Sequence, residues 1–385
     1  MSLGDLEHHP HAELARLRRQ SPVAWIPALD GWLVTGYAEA VAVMRDSRTF
    51  TVDDPRFSTA RVVGPSMLSL DGPAHSRHRS PFFAAFHRGH AAERLPGFAD
   101  AEALRLVDAI RPAGAADIRR DVSGPLAVAV VAQALGLGDV SPAEILALYT
   151  RIVGGVTGLS GGQDTTGIGQ PDPDAVAAFA ALAGQLRKVI DAPGSAQGSV
   201  LGAAAAGGQL NAGEIISDAA VVMFGGIDTT DGMIANAVLH LLSHPDQLDL
   251  VRSDPALLPA AVEESLRLEP SAAIVDRYAT RDAEITGSKI SAGDRVTVSL
   301  SGANRDPAVF SDPDRFELRR PESGRHLAFA HGPHFCIGAP PARAETLAAL
   351  RALLPLPGLR LDPAHPAEPR GLVFRKPPTL HVLWD

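Results

Sequence analysis

The sequence predicts a mainly α-helical protein carrying small antiparallel strands, and three observations carry that prediction. After Ala92 the chain is rich in Ala and Leu at helical spacing. Between Asn211 and the His244-Pro245 pair lies a mostly apolar stretch of about 32 residues, or about 48 Å of helix, long enough to cross a whole domain and so to be buried. Beyond Pro270, short alternating runs are separated by glycines, as in hairpins. No repeat of about 20 to 50 residues stands out. At 385 residues the chain suits one large domain or two to three ordinary ones.

Taken in order, Met1 to Leu14 hold Asp5, Glu7, Glu13 and three histidines, with no apolar stretch of the signal-peptide kind, and residues 1–19 are expected to be loosely ordered. The longest apolar run, Pro125 to Leu135, is interrupted by Gln133 and falls far short of the roughly 18 residues of a membrane span. Residues 153–170 contain seven glycines and no periodicity, which reads as a loop, either a surface connection or a lid over a substrate. Asn211, with Glu214 three residues on, forms a capping-box signature for the long helix. A further helix is expected from about Leu257 to Leu268, closed by Pro270, and strands at Glu284–Ile285 and Arg295–Leu300, set off by Gly287 and Gly293.

Composition narrows the function. With 45% hydrophobic residues, 36 glycines and 31 prolines the chain is a globule, not a disordered segment. Its one cysteine, Cys336, excludes a disulfide framework and suits a reducing compartment, so a cytoplasmic protein without membrane attachment is expected. A net charge of −9 argues against a nucleic-acid binder. Against that background, His75 to Arg94 hold four arginines and four histidines and a single acid, Glu93, which is either a solvated face or a docking patch for an acidic partner.

The most informative region is Phe329-Ala-His-Gly-Pro-His-Phe-Cys-Ile-Gly338, followed by Ala342-Arg-Ala-Glu345 on a helical run. A cysteine in a turn that feeds a helix lies near backbone N–H groups and a helix N-terminus, which favour thiolate over thiol. Such a thiolate suits a heme iron, although a lone cysteine is commonly just a small buried side chain. The spacing of Phe329, Gly332, His334, Cys336 and Gly338, with the Ala-Arg-x-Glu beyond, resembles the heme loop of the cytochrome P450 superfamily. Ala330 departs from the glycine usual in bacterial members.

Three more motifs fall in the same order. Gly225-Gly-Ile-Asp-Thr-Thr230 places two costly glycines inside the long helix. They serve either helix packing or the approach of a flat group, and the pattern resembles the family's I-helix motif, in which Asp228 and Thr229 would deliver protons to dioxygen. Glu264 and Arg267, at i and i+3, would ordinarily be a solvated ion pair, but their position resembles the family's structural Glu-x-x-Arg. The segment Asp71-Gly-Pro-Ala-His75-Ser-Arg-His-Arg79 resembles the opening of the C helix, whose His75 and Arg79, one turn apart, would bind heme propionates with Arg277 and His334.

The resemblance covers about residue 20 to the C-terminus and implies a single cytochrome P450 domain over residues 1–385: a triangular helical fold with small β-sheets and heme b between the long I helix and the cysteine loop. Cys336 would be the iron ligand, with Phe329 and Gly338 against the cofactor. The implied reaction inserts one oxygen atom from dioxygen into a C–H bond, with electrons from NAD(P)H through ferredoxin and ferredoxin reductase. Pocket positions map onto Met67, Leu68, Phe224, Gly225, Ala273, Ile274 and Val373, mostly apolar and small, which suits an uncharged natural-product intermediate. Three other readings compete: a zinc site of His331, His334 and Cys336 in a hydrolase, a nucleophile elbow at Gly158-Leu-Ser160-Gly-Gly162, and a heme sensor or carrier without catalysis.

Overall fold

Asn211 opens the longest helix as its side chain accepts from the Glu214 N–H at 3.0 Å while the Glu214 carboxylate accepts from the Asn211 N–H at 2.9 Å. The helix runs Ala212–Ser243, and Pro245 begins the next one, so both ends fall where the capping box and the proline place them. This is the computed structural model of the chain, and it describes residues 2–161, 172–192 and 198–385. The fold is mainly helical with small sheets, and its internal contacts group it into two compact units. Residues 1–51, 100–124 and 228–385 form one, and residues 52–99 and 125–227 the other, with the division falling inside the long helix.

The second unit is helical. Its helices include Gly72–Arg88, Pro142–Gly161, Pro173–Asp191 and Val200–Ala206, and the apolar run after Gly124 forms the buried helix Gly124–Leu135. The loop expected over 153–170 is corrected in its first half, because residues 153–161 continue the helix Pro142–Gly161; residues 162–170 lie outside the described residues. Glycine there is a packing device: a Cβ on Gly155 would stand 2.3 Å from the Cβ of Ala175 in Pro173–Asp191, so only glycine lets these two helices touch. Ser160 lies inside that helix with no strand before it, which removes the nucleophile-elbow reading.

The first unit carries the sheets. Five strands lie in the order Val23–Ile26, Gly31–Val34, Arg295–Ser299, Ile274–Ala279 and Phe50–Thr51, antiparallel except for the second pair. Val296, Thr297 and Val298 are all buried, as a central strand covered on both faces requires. Residues 1–19, expected to be loose, instead contain the helix Leu3–His8 and most of Pro10–Gln20. Leu6, Leu14 and Leu17 form a stripe that packs on Ile26, Leu29 and Leu33, and this burial is what orders the terminus. No helix of the described residues is long and apolar enough to cross a membrane.

Two adjacent glutamates on the helix Leu258–Leu268 tie this unit together. Glu264 and Arg267 are fully buried and bidentate, at 2.7 and 2.8 Å, so the pair is not a solvated one. Glu264 also receives Arg320 at 2.9 Å and the Glu317 N–H at 3.0 Å, while Arg267 donates to the carbonyls of Asn304, Pro313 and Arg315. Irregular chain from 304 to 320 has few ladder partners of its own, and this cluster supplies them. On the other side, Glu263 binds Arg343 at 2.6 and 2.8 Å and His326 at 3.2 Å. Burial would raise its pKa, but the hydrogen bonds from Arg343 and His326 bring it down to about 2.

The turn before Cys336 is built from left-handed residues. Gly332 has φ +74°, and a Cβ on it would meet the Met44 carbonyl oxygen at 2.6 Å. Ala330 adopts φ +59°, so the alanine that departs from the family glycine keeps the turn and carries strain instead of reshaping it. The turn closes where the Cys336 N–H donates to the Phe329 carbonyl at 2.9 Å.

Two expectations follow for stability. Arg267→Ala leaves Glu264 buried with one guanidinium lost and should cost about 3–5 kcal/mol, read as loss of folded protein in denaturant titration; a cost below about 1 kcal/mol would mark the cluster as dispensable. Ala330→Gly should stabilise by about 1 kcal/mol by relieving the left-handed strain, visible as a higher Tm, and a lower Tm would contradict the strain assignment.

Candidate functional site

Gly338 caps the helix Ala339–Leu353, with prolines in its first turn, and Cys336 stands just before that cap. A Cβ on Gly338 would lie 3.7 Å from the Cys336 sulfur, so sulfur and helix N-terminus share one small volume. The positive end of the helix dipole there lowers the free energy of a thiolate relative to a thiol. Phe329, buried at the start of the turn, is stacked under the Arg343 guanidinium at 4.5 Å, and Glu263 holds that guanidinium in turn. The loop is thus fixed by hydrogen bond, ring contact and ion pair.

The donor set fits heme. A single soft thiolate can complete the coordination of a metal that brings its other ligands with it, as a porphyrin iron does. Among the described residues no group of three His, Cys, Asp or Glu side chains could hold a bare metal ion, so the zinc reading of His331, His334 and Cys336 has no ligand cage. His334 closes the short turn Gly332–His334 two residues before the cysteine. On the central sheet Arg277 is buried, with its guanidinium donating to the Asp276 carbonyl at 2.7 Å.

In the same unit, Asp228 is gripped by a cation that sequence reasoning missed. Lys376 donates to the Asp228 carboxylate and, at 2.8 Å, to Asp231 one turn further on. Gly232 makes the approach possible, because a Cβ there would stand 3.2 Å from the Lys376 stem and 2.9 Å from the Ser271 hydroxyl oxygen. Asp231 is anchored independently: Arg119 binds it at 2.6 and 3.0 Å and Ser123 at 2.6 Å. Burial pushes the Asp231 carboxyl up, but Lys376 and Arg119 outweigh it and hold the group below the usual range. Arg119 also donates to the carbonyls of Pro377 and Pro378, fixing the backbone just after Lys376. The sequence held one clue, since Lys376 is one of only three lysines among 35 basic residues and Asp228 and Asp231 are spaced i, i+3.

Pocket candidates of this unit are also drawn together. The Ala273 N–H donates to the Val373 carbonyl at 2.8 Å, next to Ile274 at the start of its strand, and Val373 lies in the same hairpin as Lys376. In the helical unit, His75 is buried on Gly72–Arg88, and Arg79 one turn on lies 5.8 Å over the Phe83 ring. The two glycines of the long helix divide their work: a Cβ on Gly226 would meet Val131 at 2.5 Å, whereas one on Gly225 meets no protein atom within 4 Å. Gly226 is therefore a packing residue, whereas a side chain at Gly225 would have open space. Met67 is buried and Leu68 half-buried, with the Met67 N–H donating to Asp218 at 2.6 Å.

Comparison with known proteins agrees with this geometry. The family model for Cytochrome P450 matches residues 187–370. The chain is 35% identical to Cytochrome P450 monooxygenase PikC of Streptomyces venezuelae, over 98% of this chain and 90% of that protein. It is likewise 35% identical to Nocardicin C N-oxygenase of Nocardia uniformis subsp. tsuyamanensis, over 97% and 95%. Among solved structures, that of CalO2 superposes with a TM-score of 0.87 at 30% identity, covering 98% of this chain and 96% of the other. A thiol poised at a helix N-terminus and relatedness along nearly the whole chain lead to one conclusion: this protein belongs to the cytochrome P450 family, as a monooxygenase that uses heme b and receives electrons from NAD(P)H through redox partners.

Proposed function

We propose that the chain, acting as a single domain over residues 1–385, hydroxylates or similarly oxidises a C–H bond of a small, mostly apolar intermediate of secondary metabolism. Bound heme supplies the one-electron chemistry that activates dioxygen. Cys336 is the thiolate ligand, and the observation that carries this reading is its sulfur against the N-terminus of Ala339–Leu353. Phe329 and Gly338 flank the cofactor on that side. His75, Arg79, Arg277 and His334 are the propionate partners, four cationic or protonatable groups for two carboxylates. Electrons arrive from a ferredoxin, reduced in turn by a ferredoxin reductase, and the basic stretch 75–94 supports an acidic partner of that kind. The cytoplasm is the compartment proposed for this work.

Asp228 and Thr229 form the proton path. The Asp228 carboxylate collects protons and the Thr229 hydroxyl passes them on toward the reacting oxygen. Lys376, anchored on Asp231 as well, holds the Asp228 carboxylate in one orientation. A carrier or sensor has no use for an acid held in this way, which favours the oxygenase over that alternative. The substrate contacts assigned by this reading are Met67, Leu68, Phe224 and Gly225 in the helical unit and Ala273, Ile274 and Val373 in the sheet-bearing unit, mostly apolar side chains that suit an uncharged molecule. PikC and a nocardicin oxygenase as relatives support a secondary-metabolic substrate.

One experiment tests the path through two variants, using any substrate found by its shift of the heme absorbance. Thr229→Ala should still consume nicotinamide but divert electrons to hydrogen peroxide, lowering product per nicotinamide by about tenfold or more. Lys376→Met removes the side chain that holds the Asp228 carboxylate in place, so kcat should fall by about tenfold while heme loading is kept. Unchanged coupling in Thr229→Ala contradicts the path, and an unchanged kcat in Lys376→Met contradicts the role given to the lysine.

A further inference from the structure

Besides the groups assigned above, one buried titratable cluster stands in the helical unit, where the helix Gly72–Arg88 meets the first half of Ala212–Ser243. His78 and Asp218 are both buried, and the His78 Nδ1 lies 2.8 Å from one Asp218 oxygen. The other Asp218 oxygen accepts the Met67 N–H at 2.6 Å. Its neighbour Ser217 donates to the Val63 carbonyl at 2.7 Å, so two consecutive helix residues hold both ends of the segment 63–67. Within that segment Gly64 has φ +85°, and a Cβ there would crowd the Ser217 hydroxyl oxygen at 3.3 Å. Beyond it the turn is closed on itself, with the Ser69 and Leu70 N–H groups donating to the Ser66 carbonyl at 3.0 and 3.1 Å.

Around the pair, Glu214 lies one turn earlier on the same helix, 3.7 Å from the far ring nitrogen of His78, and Arg77 binds Glu214 at 2.7 Å. Burial pushes the Asp218 carboxyl up to about 8, Glu214 adding to the rise, and burial with Arg77 pushes the His78 imidazole down. His78 and Asp218 thus meet as a fully buried hydrogen-bonded pair. Such a pair resists both water and separation, because parting its members leaves two buried polar groups without their shared bond. On the helix, Asp218, Val221 and Gly225 stand at i, i+3 and i+7 and so lie on one face, which puts the clamp in line with the Gly225 surface.

We propose that Asp218 and His78 are positioning residues for the substrate: they fix the turn Ser66–Leu70 against the long helix and so set the pocket wall made by Met67 and Leu68. The proposal rests on the assignment of those two residues to the pocket. Residues that touch substrate choose among molecules only if their backbone is held, and here the Met67 backbone is held by a fully buried carboxyl. Specificity is then sensitive to side chains behind the pocket as well as in it.

The test uses the heme-loaded enzyme and two probes that bind its iron, imidazole and phenylimidazole, whose ratio of Kd values reports the pocket wall. Amide exchange at Met67 reports the clamp itself. Asp218→Ala should speed Met67 exchange by about tenfold or more and shift the Kd ratio by about tenfold, the effect of losing one short hydrogen bond to a buried acid. Asp218→Asn, whose side-chain carbonyl still accepts from Met67, should restore most of both. His78→Phe serves if Asp218→Ala does not fold, and should speed the exchange severalfold. Met67→Phe tests the pocket assignment separately. A ratio that moves in Met67→Phe but not in Asp218→Ala overturns the clamp alone; a ratio unmoved in both overturns the pocket assignment and the clamp with it. Wild-type exchange at Met67 in either clamp variant also overturns the proposal.

Discussion

A cysteine sulfur serves as an anionic ligand only where its surroundings hold the charge, and at Cys336 that task falls to the N-terminus of one helix and a turn closed by one backbone hydrogen bond. Much of the sheet-bearing unit is arranged around keeping that turn in place. Gly332 fits against the backbone of Met44 where no side chain would, and Phe329 is pinned by Arg343, itself held by Glu263. The next residue, Glu264, turns to the other side and organises the irregular chain from 304 to 320 through Arg267 and Arg320. Consecutive residues on a helix point about 100° apart, so one short helix serves both regions at once.

The same economy recurs on the long helix. Gly226 backs onto Val131, Gly225 leaves open space where a side chain would stand, and Gly232 lies close against the stem of Lys376. These three interior glycines each cost about 1 kcal/mol against alanine, which makes sense only where each makes room for something. The acids follow the same rule: Asp231 is locked by Arg119 and Ser123, and that lock gives Lys376 a fixed second anchor from which to reach Asp228. The orientation of Asp228 is thus set by residues separated from it by more than a hundred positions in sequence.

That separation explains what was legible in the sequence. Local signals are legible: the capping box at Asn211 and the stop at His244-Pro245 bound a helix of 32 residues, the helix to Leu268 begins at Leu258, one residue later than the pattern predicts, and strands form at Ala283–Ile285 and Arg295–Ser299. Spaced motifs identified the family, because the chemistry around one thiol needs fixed residues at fixed offsets. What escaped was non-local. Glycines at 154, 155, 158 and 161 suggested a loop, whereas one of them is a contact point between helices that only tertiary packing reveals. The N-terminal helices depend on leucines meeting a hairpin, and the roles of Lys376, Arg320 and Asp218 depend on partners that no local pattern announces.

The account stands on the thiolate at position 336, and the absorbance of the reduced, carbon-monoxide-bound protein tests it most directly. A thiolate opposite carbon monoxide moves the main heme band strongly to the red, and histidine or water in its place does not. The wild-type protein should show that red-shifted band, and Cys336→His should keep heme while losing it. A wild-type spectrum without the shift, or a Cys336→His variant that retains it, would contradict the assignment on which the turn, the helix cap and the two glutamates have been explained.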